Sequence, residues 1–102
     1  MKAKQNLRPF HLAFPVLNIQ KAEHWYTEIL GCSIGRKSND WIDFNLFGHQ
    51  IVAHLTDSIT PKSTNNVDGN NVPTRHFGVI LSIPKWNNLV ERLKNLNIES
   101  LD

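Results

Sequence analysis

A loose internal repeat governs what this sequence can form: the stretch from Pro9 to Ile34 recurs from Thr74 to Ile98, with a histidine at the same place in each copy. The first copy reads His11-Leu12-Ala13-Phe14-Pro15-Val16 into Asn18-Ile19, the second His76-Phe77-Gly78-Val79-Ile80-Leu81 into Ile83-Pro84. Both continue through a helical pattern, one ending at Leu30-Gly31-Cys32-Ser33-Ile34 and the other at Leu96-Asn97-Ile98. A doubled supersecondary unit points to two like modules side by side, and one histidine per copy is a route to a pseudo-symmetric site in which two imidazoles converge.

The periodicities fill in the first module. Alternation over Phe10–Val16 predicts a strand with Phe10, Leu12, Phe14 and Val16 on one face and His11, Ala13 and Pro15 on the other. Asn18 is a plausible N-cap; Ile19, Ala22, Trp25, Tyr26 and Ile29 recur at helical spacing, with Gly31 as the stop. Three extended segments follow, near Ser33–Lys37, Trp41–Phe47 and Gln50–Leu55, with turns at Ser38-Asn39-Asp40 and Gly48-His49. Ile42, Phe44 and Leu46 share one face of the second of these segments and Trp41, Asp43 and Asn45 the other. In the third, Ile51, Ala53 and Leu55 oppose Gln50, Val52 and His54.

Thr56 to Pro73 is rich in Asn, Ser, Asp and Gly, lacks periodicity and reads as a linker. Arg75–Ser82 is then expected to be a strand, and Pro84 a first-turn proline of a helix with the apolar stripe Trp86, Leu89, Val90, Leu93 and Leu96. Ile98–Leu101 would begin the next strand. The order is βαβββ, linker, βαβ: an α+β chain forming one domain over 1–102, with module one at about 9–56, a linker at about 57–73 and an incomplete module two at about 74–102. The repeat leads us to expect three strands after the second helix, as after the first.

Three of the five histidines, His11, His54 and His76, lie opposite the bulky apolar set of their strands. With the apolar faces packed under the helices, all three imidazoles project from the other face of the sheet, where neutral imidazole is a common ligand for divalent transition metals. Taken singly, each is better explained as a surface or half-buried histidine with a satisfied hydrogen bond; the shared face and the equivalence of His11 and His76 are what point to a metal. Trp41 and Asp43 share that presumed cavity face as candidate substrate-binding residues, the first as an aromatic wall for a ligand, while the second is equally a partner to a metal-bound histidine, a weak substitute ligand or a solvated carboxylate. His49 and His24 read as structural or exposed, Cys32 as a small buried side chain, and Trp25, Tyr26 and Trp86 as packing.

Net charge of +2 with dispersed Lys and Arg argues against a nucleic-acid binder. A single cysteine excludes an intrachain disulfide and a cysteine metal cluster and fits a reducing cytoplasm. No segment reaches the about 20 apolar residues needed to cross a bilayer. Gly-rich phosphate cradles and serine or cysteine nucleophile motifs are missing.

Phe10-His11-Leu12-Ala13-Phe14-Pro15-Val16, Trp25-Tyr26 with Leu30-Gly31, Trp41-Ile42-Asp43-Phe44, Gly48-His49-Gln50 with His54, and Arg75-His76-Phe77-Gly78-Val79 together resemble the vicinal oxygen chelate superfamily of glyoxalases, extradiol dioxygenases, fosfomycin-resistance enzymes and bleomycin-resistance proteins. The resemblance implies paired βαβββ modules forming a cupped mixed sheet around one divalent metal (zinc, nickel, iron or manganese). Its ligands would fall at His11, His54 and His76, while the family's fourth, usually a glutamate, lies on a strand not found before Asp102. It further implies a small-molecule substrate with vicinal oxygens and a lyase or dioxygenase type of chemistry, or binding without catalysis as in bleomycin sequestration. Open sheet edges predict a homodimer or higher assembly.

Overall fold

A computed structural model describes residues 9–59, 63–73 and 75–98. The first half is a single supersecondary unit. Strand β1 (His11–Val16) leads into helix α1 (Ile19–His24), which continues as a π-helical turn over Trp25–Ile29. Strands β2 (Ser33–Lys37), β3 (Trp41–Leu46) and β4 (His49–Leu55) follow, and the four strands form one mixed sheet in the order β1-β4-β3-β2, with β1 parallel to β4 and the other pairs antiparallel.

Local chemistry explains these elements. Asn18 is extended, and its side-chain oxygen accepts from the Lys21 amide at 2.9 Å, capping α1 as expected. The helix ends on Gly31 at φ +79°, where the Gly31 amide reaches the Thr27 carbonyl (3.1 Å) and the Cys32 amide the Tyr26 carbonyl (2.8 Å). Widening to π geometry accompanies a 2.6 Å hydrogen bond from the Thr27 hydroxyl to the Glu23 carbonyl, an alternative partner within the helix ladder. Between β3 and β4 the turn is Phe47-Gly48, both at positive φ, one residue earlier than the sequence suggested, so His49 belongs to β4.

The core lies between α1 and one face of this sheet. Ile42, Phe44, Leu46, Ile51 and Ala53 are buried there with Ile19, Ala22 and Cys32, and Leu12, Phe14, Val16, Tyr26 and Leu30 pack against them. The Tyr26 ring stacks on Phe44 at 5.0 Å and meets Phe14 at 5.5 Å. Burial raises the Tyr26 phenol above its ordinary value, with the Cys32 sulfur adding to the shift, and burial also raises the Cys32 thiol. Trp25, expected in the packing, is 40% exposed at the start of the π turn.

The second half departs from expectation. The stretch expected to be a linker contains a hairpin of β5 (Thr64–Val67) and β6 (Asn70–Pro73), turning on Asp68-Gly69 with both residues at positive φ. The segment 75–82, expected to be a strand, joins no ladder among the described residues. Helix α2 (Ile83–Asn95) forms with Pro84 in its first turn, yet none of its residues is buried, and Trp86 is 56% exposed rather than packed. Val79 packs against the core under α1, and further contacts tie this half to the first. Phe77 meets Phe14 at 5.3 Å, and the Arg92 guanidinium donates to the carbonyls of Ile29 and Glu28, each at 2.8 Å, covering the open end of the π turn. The strand expected at Ile98–Leu101 falls mostly outside the described residues.

Candidate functional site

The face of the sheet turned away from α1 carries His11, His54, Trp41 and Asp43, and strand register sets its residues in three rows; His76 lies outside the sheet. His11 stands beside Gln50, which stands beside Asn45 and then Ser33. Ala13, Val52 and Asp43 form the middle row, and Pro15, His54 and Trp41 the third. His11 and His54 are thus on one face, as expected, but at opposite ends of the β1–β4 pair. Four residues of strand separate their rows, about 13 Å, and side chains on a sheet stand roughly perpendicular to it. Two imidazoles on one ion must bring their nitrogens within about 4 Å of each other, since each lies about 2 Å from the metal.

His11, His54 and His76 therefore do not assemble as one metal centre. Among the described residues no group of three or more His, Cys, Asp or Glu side chains is positioned to hold an ion. The residue that register places beside His11 is Gln50, an amide donor. The sequence put Gln50 on the right face, but pairing between parallel strands separated by a whole helix and hairpin leaves no local signal.

His76 and His49 differ in the state of their rings. The His76 Nδ1 lies 2.8 Å from the Pro73 carbonyl oxygen. A carbonyl only accepts, so Nδ1 carries the proton and Nε2 presents its lone pair, the arrangement by which a backbone carbonyl orients a metal-binding imidazole. In His49 the Phe10 amide donates to Nδ1 at 2.8 Å, fixing the opposite tautomer and tying the start of β1 to the hairpin; this ring is structural.

His76 also lines a cavity of about 970 Å³ between β1, the π turn, the 75–81 segment and α2. Its walls include Phe14, Tyr26, Phe77, Leu81 and Trp86, and Ala13 and Pro15 reach it from the His11 side of β1. Towards the third row, Asp43 is buried and its carboxylate lies 3.6 Å from Arg36 Nε, while the Arg36 guanidinium sits 5.5 Å from the centre of the Trp41 ring. Sequence reasoning named Trp41 and Asp43 and missed Arg36, whose place over this face follows from a register shift in β2 between Ile34 and Lys37. No described helix is long and apolar enough to cross a membrane.

No protein-family model and no curated protein matches the chain. Solved structures do. A glyoxalase/bleomycin resistance protein/dioxygenase from Alicyclobacillus acidocaldarius matches with a TM-score of 0.68 and 31% identity over 88% of this chain and 64% of that one. The fosfomycin resistance protein FosX from Listeria monocytogenes matches with a TM-score of 0.66 and 16% identity, over 100% of this chain and 72% of that one. FosX in complex with Mn(II) and sulfate gives 0.63 and 17%, over 98% and 70%. The chain thus spans somewhat under two thirds of the Alicyclobacillus protein. The mixed sheet, the helix across one face and the start of a second such unit are those of the vicinal oxygen chelate superfamily, and this chain has that fold.

Proposed function

We propose that the chain is the small-molecule-binding scaffold of a protein of the glyoxalase, bleomycin-resistance and dioxygenase kind, with the repeat-related His11 and His76 as donors to a divalent metal. The observation that carries this reading is the orientation of His76, whose Nε2 lone pair is left available by the Pro73 carbonyl on the wall of a cavity that β1 also lines. Register supports Gln50 as a neighbouring oxygen donor to His11 and removes His54 from the set. A metal held in this way would supply Lewis acidity toward vicinal substrate oxygens. The full three-histidine set does not fit around one ion, and the chemistry proposed stops at binding and polarising the ligand.

The test is metal retention after incubation with zinc, nickel, manganese or ferrous iron and removal of excess. Stoichiometric metal in the parent protein, lost in His11→Ala and in His76→Ala and kept in His54→Ala, is the expected result. Failure of the parent protein to retain any of the four ions, or equal loss in His54→Ala, overturns it. Binding without metal is the second reading, favoured by the missing three-donor group among the described residues and by the apolar cavity wall. Ligand binding that survives chelator treatment distinguishes the two. We also propose that copies of the chain associate through the exposed apolar side chains of the second half, Phe77, Ile80, Ile83 and Trp86, which sedimentation at rising concentration measures.

A further inference from the structure

We infer that Arg36, set on Trp41 and paired with Asp43, is an anion-recognition site for the acidic group of a small-molecule ligand, at the opposite end of the open sheet face from His11. The inference rests on reading that face as the ligand-binding face and is independent of the metal. Four observations meet here. The guanidinium lies over the Trp41 ring at 5.5 Å, which fixes its plane. Its Nε faces the Asp43 carboxylate at 3.6 Å, and that carboxylate is only 11% exposed, whereas the Arg36 side chain is 82% exposed. A flexible surface arginine is thereby held from below and from one edge, and its two terminal amino groups have no partner among the described residues. Such a fork matches two oxygens of a carboxylate or phosphoryl group and loses little further freedom on binding.

Gly35 leaves room for this arrangement. A Cβ at that position would lie 3.3 Å from the Asp43 Cβ, a tight contact that Asp43 would have to yield to by a few tenths of an ångström. The neighbouring cation on β2 is not a competitor, because Lys37 is paired with Glu23 at 3.1 Å. Trp41 and His54 are cross-strand partners on the same face, and His54 is exposed, so its imidazole is a second hydrogen-bonding group next to Trp41 on the face that carries the fork. Asp40, the nearest other acid in the sequence, turns its carboxylate to the Ser38 hydroxyl at 2.8 Å. These placements give His54 a role that its distance from His11 denies it as a metal ligand.

Titration of the metal-free protein with benzoate and, separately, inorganic phosphate, followed by amide chemical shifts, tests the site. Saturable binding should weaken about tenfold in Arg36→Gln, as expected for loss of a charge-assisted hydrogen-bond pair, and less in Arg36→Lys, which keeps charge without the fork. Asp43→Asn, which removes the competing carboxylate at nearly constant shape, should tighten binding, and His24→Ala, at an exposed position of α1, should leave it unchanged. Benzoate preferred over phosphate assigns a carboxylate ligand; the reverse assigns a phosphoryl or phosphonyl one. Lack of saturable binding of either anion, unchanged affinity in Arg36→Gln and Arg36→Lys, or weakening in Asp43→Asn overturns the site. A purely structural role for the Arg36–Asp43 pair predicts no gain in Asp43→Asn, so the sign of that change separates the two.

Discussion

The two halves of this chain begin with the same motif and end in different physical states. In the first, β1 is paired along its length with β4, and the bulky residues of β3 and β4 are buried under α1. In the second, the equivalent run from His76 to Leu81 joins no ladder, α2 buries nothing, and Ile80 is fully exposed. The radius of gyration, 15.7 Å, exceeds the about 13 Å of a compact domain of this size, consistent with a second half that leans on the first without closing over it. An amphipathic strand and helix acquire a core only when further strands complete the surface they face. Local pattern decides which residues are apolar on which side; the partner decides whether that side is buried.

That contrast can be broken by substitution. Phe44→Ala, which empties the centre of the buried face, should cost about 3–5 kcal/mol, read as a fall in the urea midpoint, whereas Trp86→Ala in α2 should change it by less than about 0.5 kcal/mol. Comparable losses at both positions would show that α2 is packed in solution. Arg92→Ala removes both hydrogen bonds to the end of the π turn. It should accelerate amide exchange in α2 by several-fold while leaving β3 and β4 unchanged, since few other contacts hold that helix.

Proton linkage sharpens the same comparison on the packed side. Tyr26 and Cys32 both have raised values in the fold, so each holds its proton more tightly there than in the unfolded chain. Their stabilisation is fully present below the ordinary thiol value of 9.0 and is lost as pH rises through the raised folded values, so the urea midpoint should fall as pH rises above 9.0. A flat profile would place both groups in water. A small gain is expected at the β3–β4 turn, where Phe47 holds φ 50°. Phe47→Asn, which suits a left-handed turn position, should stabilise by about 0.5–1 kcal/mol in the same assay.

Much of the first module was legible because its signals are local. Alternation over 41–46 assigns Ile42, Phe44 and Leu46 to the core, and Asn18 and Gly31 bound the helix. The β5–β6 hairpin had its own signal, Asp68-Gly69, masked by the run of polar residues around it. What could not be read is non-local. The register of β1 on β4 puts Gln50 and not His54 beside His11, and the shift in β2 sets Arg36 over Trp41. Pattern places a histidine on a face, but only strand pairing gives its row.

Native-state amide hydrogen exchange at low protein concentration tests the asymmetry most directly. The account predicts slow exchange, near the global unfolding limit, for Ile42, Phe44, Ile51 and Ala53, and exchange faster by orders of magnitude for Phe77 to Leu81 and for most of α2. Equal protection in both halves would contradict it.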